Sequence, residues 1–173
     1  MASFRASSAI LGAAMLLAAM GGALAQAQQP KPVAQFGAWN VYASGSGNSK
    51  VCYAIAQPRE RLPAGLKRDP AFFFISTRPG EKVTNEVSLK MGFTLKEGSE
   101  AKLTVGSQTF MLYTKEDGAW VRNVADESKL VDAIRKGKEV VVVSTSVRGN
   151  STTDKFALTG IGQALDKVAQ ECR

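Results

Sequence analysis

AKLTVGSQTFMLYT, residues Ala101 to Thr114, reads as a tight antiparallel hairpin. Gly106-Ser107 is its tip, and glycine at the first central position suits a type II′ turn, whose first central residue needs a positive φ. That tip sets the register. Leu103 falls opposite Phe110 and Ala101 opposite Leu112, so both apolar pairs share one face, as a half-buried hairpin requires.

The same grammar extends in both directions. Downstream, Asp117-Gly118 turns into Ala119–Asn123, a short strand carrying Trp120. Upstream, Thr84–Met91 places Val87, Leu89 and Met91 on one face. Ala71–Thr77 (AFFFIST) is the most hydrophobic segment after residue 25, and its length and aromatics predict a central strand covered on both faces. Lys50–Gln57 alternates Val51, Tyr53 and Ile55 with the small residues Cys52, Ala54 and Ala56, a face suited to close packing against another layer. Phe36–Ala43 is the first strand expected, with Trp39 and Val41 on one face. Beyond Asn123, Asp126 is the expected N-cap of a helix through Lys136. Leu130, Val131 and Ile134 form its apolar stripe, and Gly137 ends it. Lys138–Val147 and Ser151–Thr159 read as strands, and Ile161–Glu171 as an amphipathic helix with Ile161, Leu165 and Val168 at i, i+4 and i+7. Eight or nine strands joined by glycine-rich turns predict a mainly β chain: an antiparallel β-sandwich or partly open barrel with two short helices, one at the C-terminus. Strands do not alternate with helices, which argues against a doubly wound sheet.

The first 25 residues, MASFRASSAILGAAMLLAAMGGALA, have the three parts of an export signal. Arg5 supplies the positive region, Ile10–Met20 the apolar run and Ala23-Leu24-Ala25 the small-x-small cleavage site. Residues 26–35 (QAQQPKPVAQ) read as a flexible mature N-terminus, and 36–173 as one β-sandwich domain. No transmembrane segment is expected after cleavage, which points to a periplasmic, outer-envelope-associated or secreted protein. In such an oxidising compartment the two cysteines, Cys52 and Cys172, are expected to pair, tying an early strand to the C-terminal region.

The chain has no histidine, which removes Ser-His-Asp and Cys-His nucleophiles and the usual zinc sites. No catalytic residue, metal ligand set or cofactor is assigned: no glycine-rich phosphate loop appears, and the acids are too scattered to nominate a pair for glycoside cleavage. Net charge is +7, and +6 without Arg5. A positive balance favours anionic partners such as lipopolysaccharide, phospholipid or acidic glycan, or simply solubility. Aromatic residues are not interleaved with Lys and Arg as in nucleic-acid binders, so nucleic acid is not an expected partner. Pro58–Pro70 (PRERLPAGLKRDP), bracketed by prolines, reads as a long irregular loop. Its Arg59, Arg61, Lys67 and Arg68, with Arg148, are the candidate ligand-binding residues, facing an anionic envelope component or a protein partner. The polar stretch Ser144–Asp154 reads as a solvated strand face or a site for a sugar or carboxylate. Trp39 and Trp120 are assigned to the core in preference to glycan stacking.

Several short motifs carry a resemblance. Phe36-Gly37-Ala38-Trp39-Asn40-Val41, Val51-Cys52-Tyr53, Lys136-Gly137 with the valine strand after it, Ser146-Val147-Arg148-Gly149, Leu158-Thr159-Gly160 with Ala164-Leu165, and Cys172 together resemble the invasion-associated locus B family. The resemblance implies a small exported envelope protein of alphaproteobacteria, named for a link to host-cell invasion in some pathogens, with no established reaction. The chain departs from the family pattern at Ala38, where many members have aspartate, and at Ala43, where many have cysteine. A second cysteine near the N-terminus is therefore missing, which leaves Cys52 for Cys172. The leading expectation is a non-enzymatic binding or interaction module serving host-cell interaction or envelope maintenance. The rival is a histidine-free hydrolase of envelope polysaccharide.

Overall fold

The computed structural model describes residues 29–173. The export signal expected over residues 1–25, and residues 26–28 after it, lie outside the described residues. Among the described residues are strands β1 (Lys31–Phe36), β2 (Trp39–Ser44), β3 (Val51–Ala56), β4 (Glu60–Leu62), β5 (Phe72–Arg78), β6 (Val83–Lys90), β7 (Glu100–Val105), β8 (Gln108–Lys115) and β9 (Gly118–Val121). Helix α1 (Val124–Lys136), β10 (Glu139–Thr145), β11 (Ser151–Ala157) and helix α2 (Ile161–Glu171) complete the order. The strands form one antiparallel sheet in the order β1-β2-β3-β5-β6-β9-β8-β7-β10-β11-β4. The mainly β class and the C-terminal helix are as the sequence predicts. Of the two packings left open, two stacked sheets are not what forms; one continuous sheet with two unjoined edges does.

The hairpin of residues 101–114 has the expected register, Leu103 opposite Phe110 and Ala101 opposite Leu112. Of its two central residues only Gly106 has a positive φ, 58°, as a II′ turn demands. Elsewhere the sequence reading needs correction. The stretch read as a flexible leader, residues 26–35, contains all of β1 but its last residue, and β1 pairs with β2 through Lys31↔Ala43 and Gln35↔Asn40. The single strand expected over Phe36–Ala43 is thus a hairpin folded at Gly37-Ala38. The proline-bracketed loop contains β4, held to β11 by Arg61↔Asp154. Those two strands account for the excess over the nine expected. Helix α1 starts earlier than Asp126: its N-cap is Asn123, whose side chain accepts the Asp126 N–H at 2.9 Å. Strand β5 is covered unequally on its two faces; Phe73 and Ile75 are buried while Phe72 and Phe74 are half-buried.

The sheet curls so that its two halves share a core. Trp39 from β2 packs edge-on against Phe73, which packs edge-on against Phe156 of β11. The buried indole N–H of Trp39 donates to the Ala157 carbonyl at 3.0 Å, satisfying a donor that burial would otherwise penalise. All three side chains are fully buried, and each such side chain stabilises the fold by roughly 1.5–3 kcal/mol. Backbone meets backbone where the β1–β2 turn crosses the start of α2. A Cβ on Gly160 would sit 2.1 Å from the Phe36 carbonyl oxygen, and one on Gly37 2.4 Å from that of Thr159. Helix α2 lies on β2 and β3, against the small-residue face of Cys52, Ala54 and Ala56. Cys52 and Cys172 form the disulfide, with Cα atoms 5.8 Å apart. Helix α1 lies against β6, where the Glu127 carboxylate accepts the Val87 N–H at 2.7 Å. Among the described residues, no helix is long and apolar enough to cross a membrane.

Candidate functional site: a cationic cleft over a buried aspartate

Strand parity decides what faces inward at the β10–β11 end. Val140 and Val142 point into the core, so Ser144 and Ser146 do too; Phe156 points inward, so Asp154 and Thr152 follow. The polar stretch read as a solvated face is therefore half interior. Ser144 Oγ and Thr152 Oγ1 satisfy each other at 3.0 Å. Ser146 Oγ accepts the Asn150 N–H at 3.1 Å.

Asp154 is fully buried. Its Oδ1 accepts from Arg68 Nη1 at 2.9 Å and Arg61 Nε at 3.4 Å, while Oδ2 has no hydrogen-bond partner. Burial pushes this carboxyl above the ordinary carboxylate range, against the pull of Arg61 and then Arg68. The two arginines differ in what they have left. Arg61 also donates Nη1 to the Asp69 carbonyl at 2.8 Å and Nη2 to the Met91 carbonyl at 2.9 Å, so every nitrogen is committed. Arg68 has a side chain only 6% exposed. Its Nη1 is on Asp154, and among the described residues its Nε and Nη2 hold no hydrogen bond.

Above Arg68 lies a cleft of about 300 Å³, lined also by Leu66, Lys67, Phe93, Thr94, Ser146, Val147, Arg148, Asn150 and Thr152. Three of the five cations singled out in the sequence, Lys67, Arg68 and Arg148, thus come together, from the loop after β4 and the β10–β11 turn. Lys67 and Arg148 hold no ion pair among the described residues. Arg61 sits beneath as a support. Arg59 does not join them; it pairs with Glu139, and its backbone N–H donates to the Lys155 carbonyl at 2.8 Å. Sequence reasoning missed Asp154 as the keystone and the apolar walls Leu66 and Phe93. The parity of Asp154 with Phe156 was the available signal.

The cleft presents three cationic side chains beside hydroxyl, amide and apolar groups. Among the described residues no carboxylate lines it. Ser144 and Ser146 are engaged with Thr152 and the Asn150 backbone. Among the described residues no group of three or more Asp, Glu or Cys is placed to hold a metal ion.

A second feature lies on the outer face of the sheet. Tyr42 stacks on Tyr53 at 5.5 Å, Tyr53 leans on Phe74 at 5.9 Å, and Phe74 on Phe72 at 6.1 Å. Trp120 stacks on Tyr113 at 5.6 Å, with the Arg122 guanidinium 5.8 Å from the Tyr113 ring centre. Trp39 is in the core as expected, whereas Trp120 belongs to this outer band.

Comparison with known proteins gives one match. The family model described as Invasion associated locus B (IalB) protein matches residues 39–169, from the start of β2 into α2, and so spans every residue of the cleft. No curated protein and no solved structure matches the chain.

Proposed function

The chain belongs to the invasion associated locus B family, and we propose that it works as an exported, non-enzymatic binding module that captures an anionic envelope component in the cleft of Lys67, Arg68 and Arg148. Its place is the periplasm, the outer envelope or the exterior, and its role is envelope maintenance or contact with a host cell. The signal-like residues 1–25 and the Cys52–Cys172 disulfide support the compartment. One observation carries the binding reading: Arg68, nearly buried at the cleft floor, has two donor nitrogens that hold no hydrogen bond among the described residues. The interior group of Asp154, Arg61 and Arg68 has one positive charge in excess, and burying uncompensated charge is costly. An anion in the cleft offsets that cost and gains charge-assisted hydrogen bonds.

The test is binding of the purified protein to immobilised anionic phospholipid, lipopolysaccharide and acidic glycan at low salt, where screening is weakest. Lys67→Glu with Arg148→Glu reverses two exposed charges without touching the core. Loss of binding by about tenfold or more in that variant is expected. Equal binding by wild type and variant, or none by either, overturns the proposal.

A further inference from the structure

The cleft is not uniformly polar, and its division says what kind of anion fits. The floor is Arg68, flanked by Thr94, Asn150 and Thr152. Nη1 of Arg68 faces Asp154, and among the described residues this leaves the Nε and Nη2 edge, the side of a guanidinium that holds two oxygens of one oxyanion at once. Lys67 and Arg148 add two further charges at the rim. Counting Asp154 against Arg61, Arg68, Lys67 and Arg148, the site carries a net charge of +3. A carboxylate offers one negative charge, and a phosphate monoester ≈ 1.5 to 2 at neutral pH. The phosphate is the better match.

The walls are apolar. Leu66, Phe93 and Val147 line the cleft beside the cations, and two of them open to solvent, Leu66 at 37% and Val147 at 63% exposure. Exposed aliphatic groups at the mouth of a cationic pocket fit a ligand whose charged head is followed by hydrocarbon. A free phosphate or an acidic sugar leaves those groups unused.

Resting on the proposed anion site, we infer that its ligand is a phosphate-bearing lipid, with the head on Arg68 and the first carbons of the chain between Leu66, Phe93 and Val147. The head enters and the chain emerges, so the remainder of the lipid stays in a membrane or in solution.

Calorimetry on the full-length mature protein tests this with four probes below their aggregation concentrations: octyl phosphate, octanoate, inorganic phosphate and glucuronate. Each buried methylene is worth about a fourfold gain in affinity. Burial of the first two or three carbons therefore predicts octyl phosphate binding at least about tenfold more tightly than inorganic phosphate, and more tightly than octanoate. Leu66→Ser with Val147→Ser reduces octyl phosphate affinity by about tenfold and leaves inorganic phosphate within about twofold, which also shows that the variant is folded. Equal affinity for octyl phosphate and inorganic phosphate overturns the lipid inference and leaves the anion site standing. Equal affinity for octanoate and octyl phosphate overturns the choice of phosphate. Binding of none of the four removes the anion site itself.

Discussion

Replacing Asp154 with leucine and Arg68 with methionine, singly and together, separates the worth of the buried ion pair from the cost of burying it. The carboxylate is fully buried and the guanidinium nearly so, with 2.9 Å between them. Removing Arg68 strands the buried carboxylate, which costs about 3–5 kcal/mol, whereas removing Asp154 leaves Arg68 with the cleft on its open side and costs less. In Asp154→Leu two arginines lose an acceptor, although Arg61 keeps its carbonyls at Asp69 and Met91; Arg68 keeps nothing among the described residues. In Arg68→Met the carboxylate retains only the 3.4 Å contact from Arg61. The double variant removes both charges and substitutes hydrocarbon of similar bulk, an exchange that is often neutral for buried pairs. The raised carboxyl of Asp154 argues the same way, since burial outweighs the attraction of both arginines. The double variant should therefore lie within about 2 kcal/mol of wild type, with a coupling of at least about 2 kcal/mol between the sites. Urea unfolding reads this as midpoint shifts at constant slope. A double variant as unstable as the sum of the singles refutes the reasoning, because the two side chains would then act independently.

Four further outcomes follow from the geometry. The native protein should show no titratable thiol after denaturation without reductant; reducing the Cys52–Cys172 bridge, separated by 120 residues, removes up to about 5 kcal/mol in the chain-entropy treatment, a fall of roughly 10–20 °C in Tm. Glu127→Ala leaves the Val87 N–H without its acceptor and should cost about 1–3 kcal/mol, whereas Glu127→Gln, which keeps an oxygen, should cost much less; equal losses contradict the assignment. Burial raises the Glu127 carboxyl above its ordinary range, so the folded state holds this proton more tightly than the unfolded chain. Stability from Glu127 is then greatest below the unfolded pKa of about 4 and falls as pH rises through the folded value, and chemical denaturation should show Glu127→Gln gaining on wild type over that interval, not losing. Gly160→Ala places a methyl against the Phe36 carbonyl at a residue with φ 89° and should cost about 1–3 kcal/mol or more, seen as a lower thermal midpoint; an unchanged midpoint would mean that the β1–β2 turn does not press on α2.

What was legible in the sequence was local. The residue 101–114 hairpin, the inward faces of β3 and β6, the stripe of α1 and the bounds of α2 follow from side-chain period and turn chemistry, which act over a few residues. Strands β1 and β4 were hidden because their evidence lies far away in the chain. Lys31–Phe36 contains a proline and is polar at its start, and Glu60–Leu62 is too short to show a period; each is a strand because β2 or β11 offers hydrogen bonds to it. The site divides along the same line. Lys67, Arg68 and Arg148 were visible as basic loop residues, but their convergence depends on β4 docking on β11. Asp154 was misread because a run of Ser, Thr and Asp resembles a solvated face, while its parity with Phe156 and the distant Arg61 and Arg68 put it inside. Arg59, two residues from Arg61 in the same loop, points to Glu139 on the sheet instead.

The ends of the sheet have a consequence for how copies of the molecule meet one another. At one end β1 begins with Lys31-Pro32, and its register slips between Pro32 and Ala34; proline lacks the N–H that a newcomer would need, and the slip twists the remaining groups out of line. At the other end β4 spans just Glu60–Leu62, too short a template for a foreign strand. Crowded together, molecules with such borders resist zipping into polymers along their backbones.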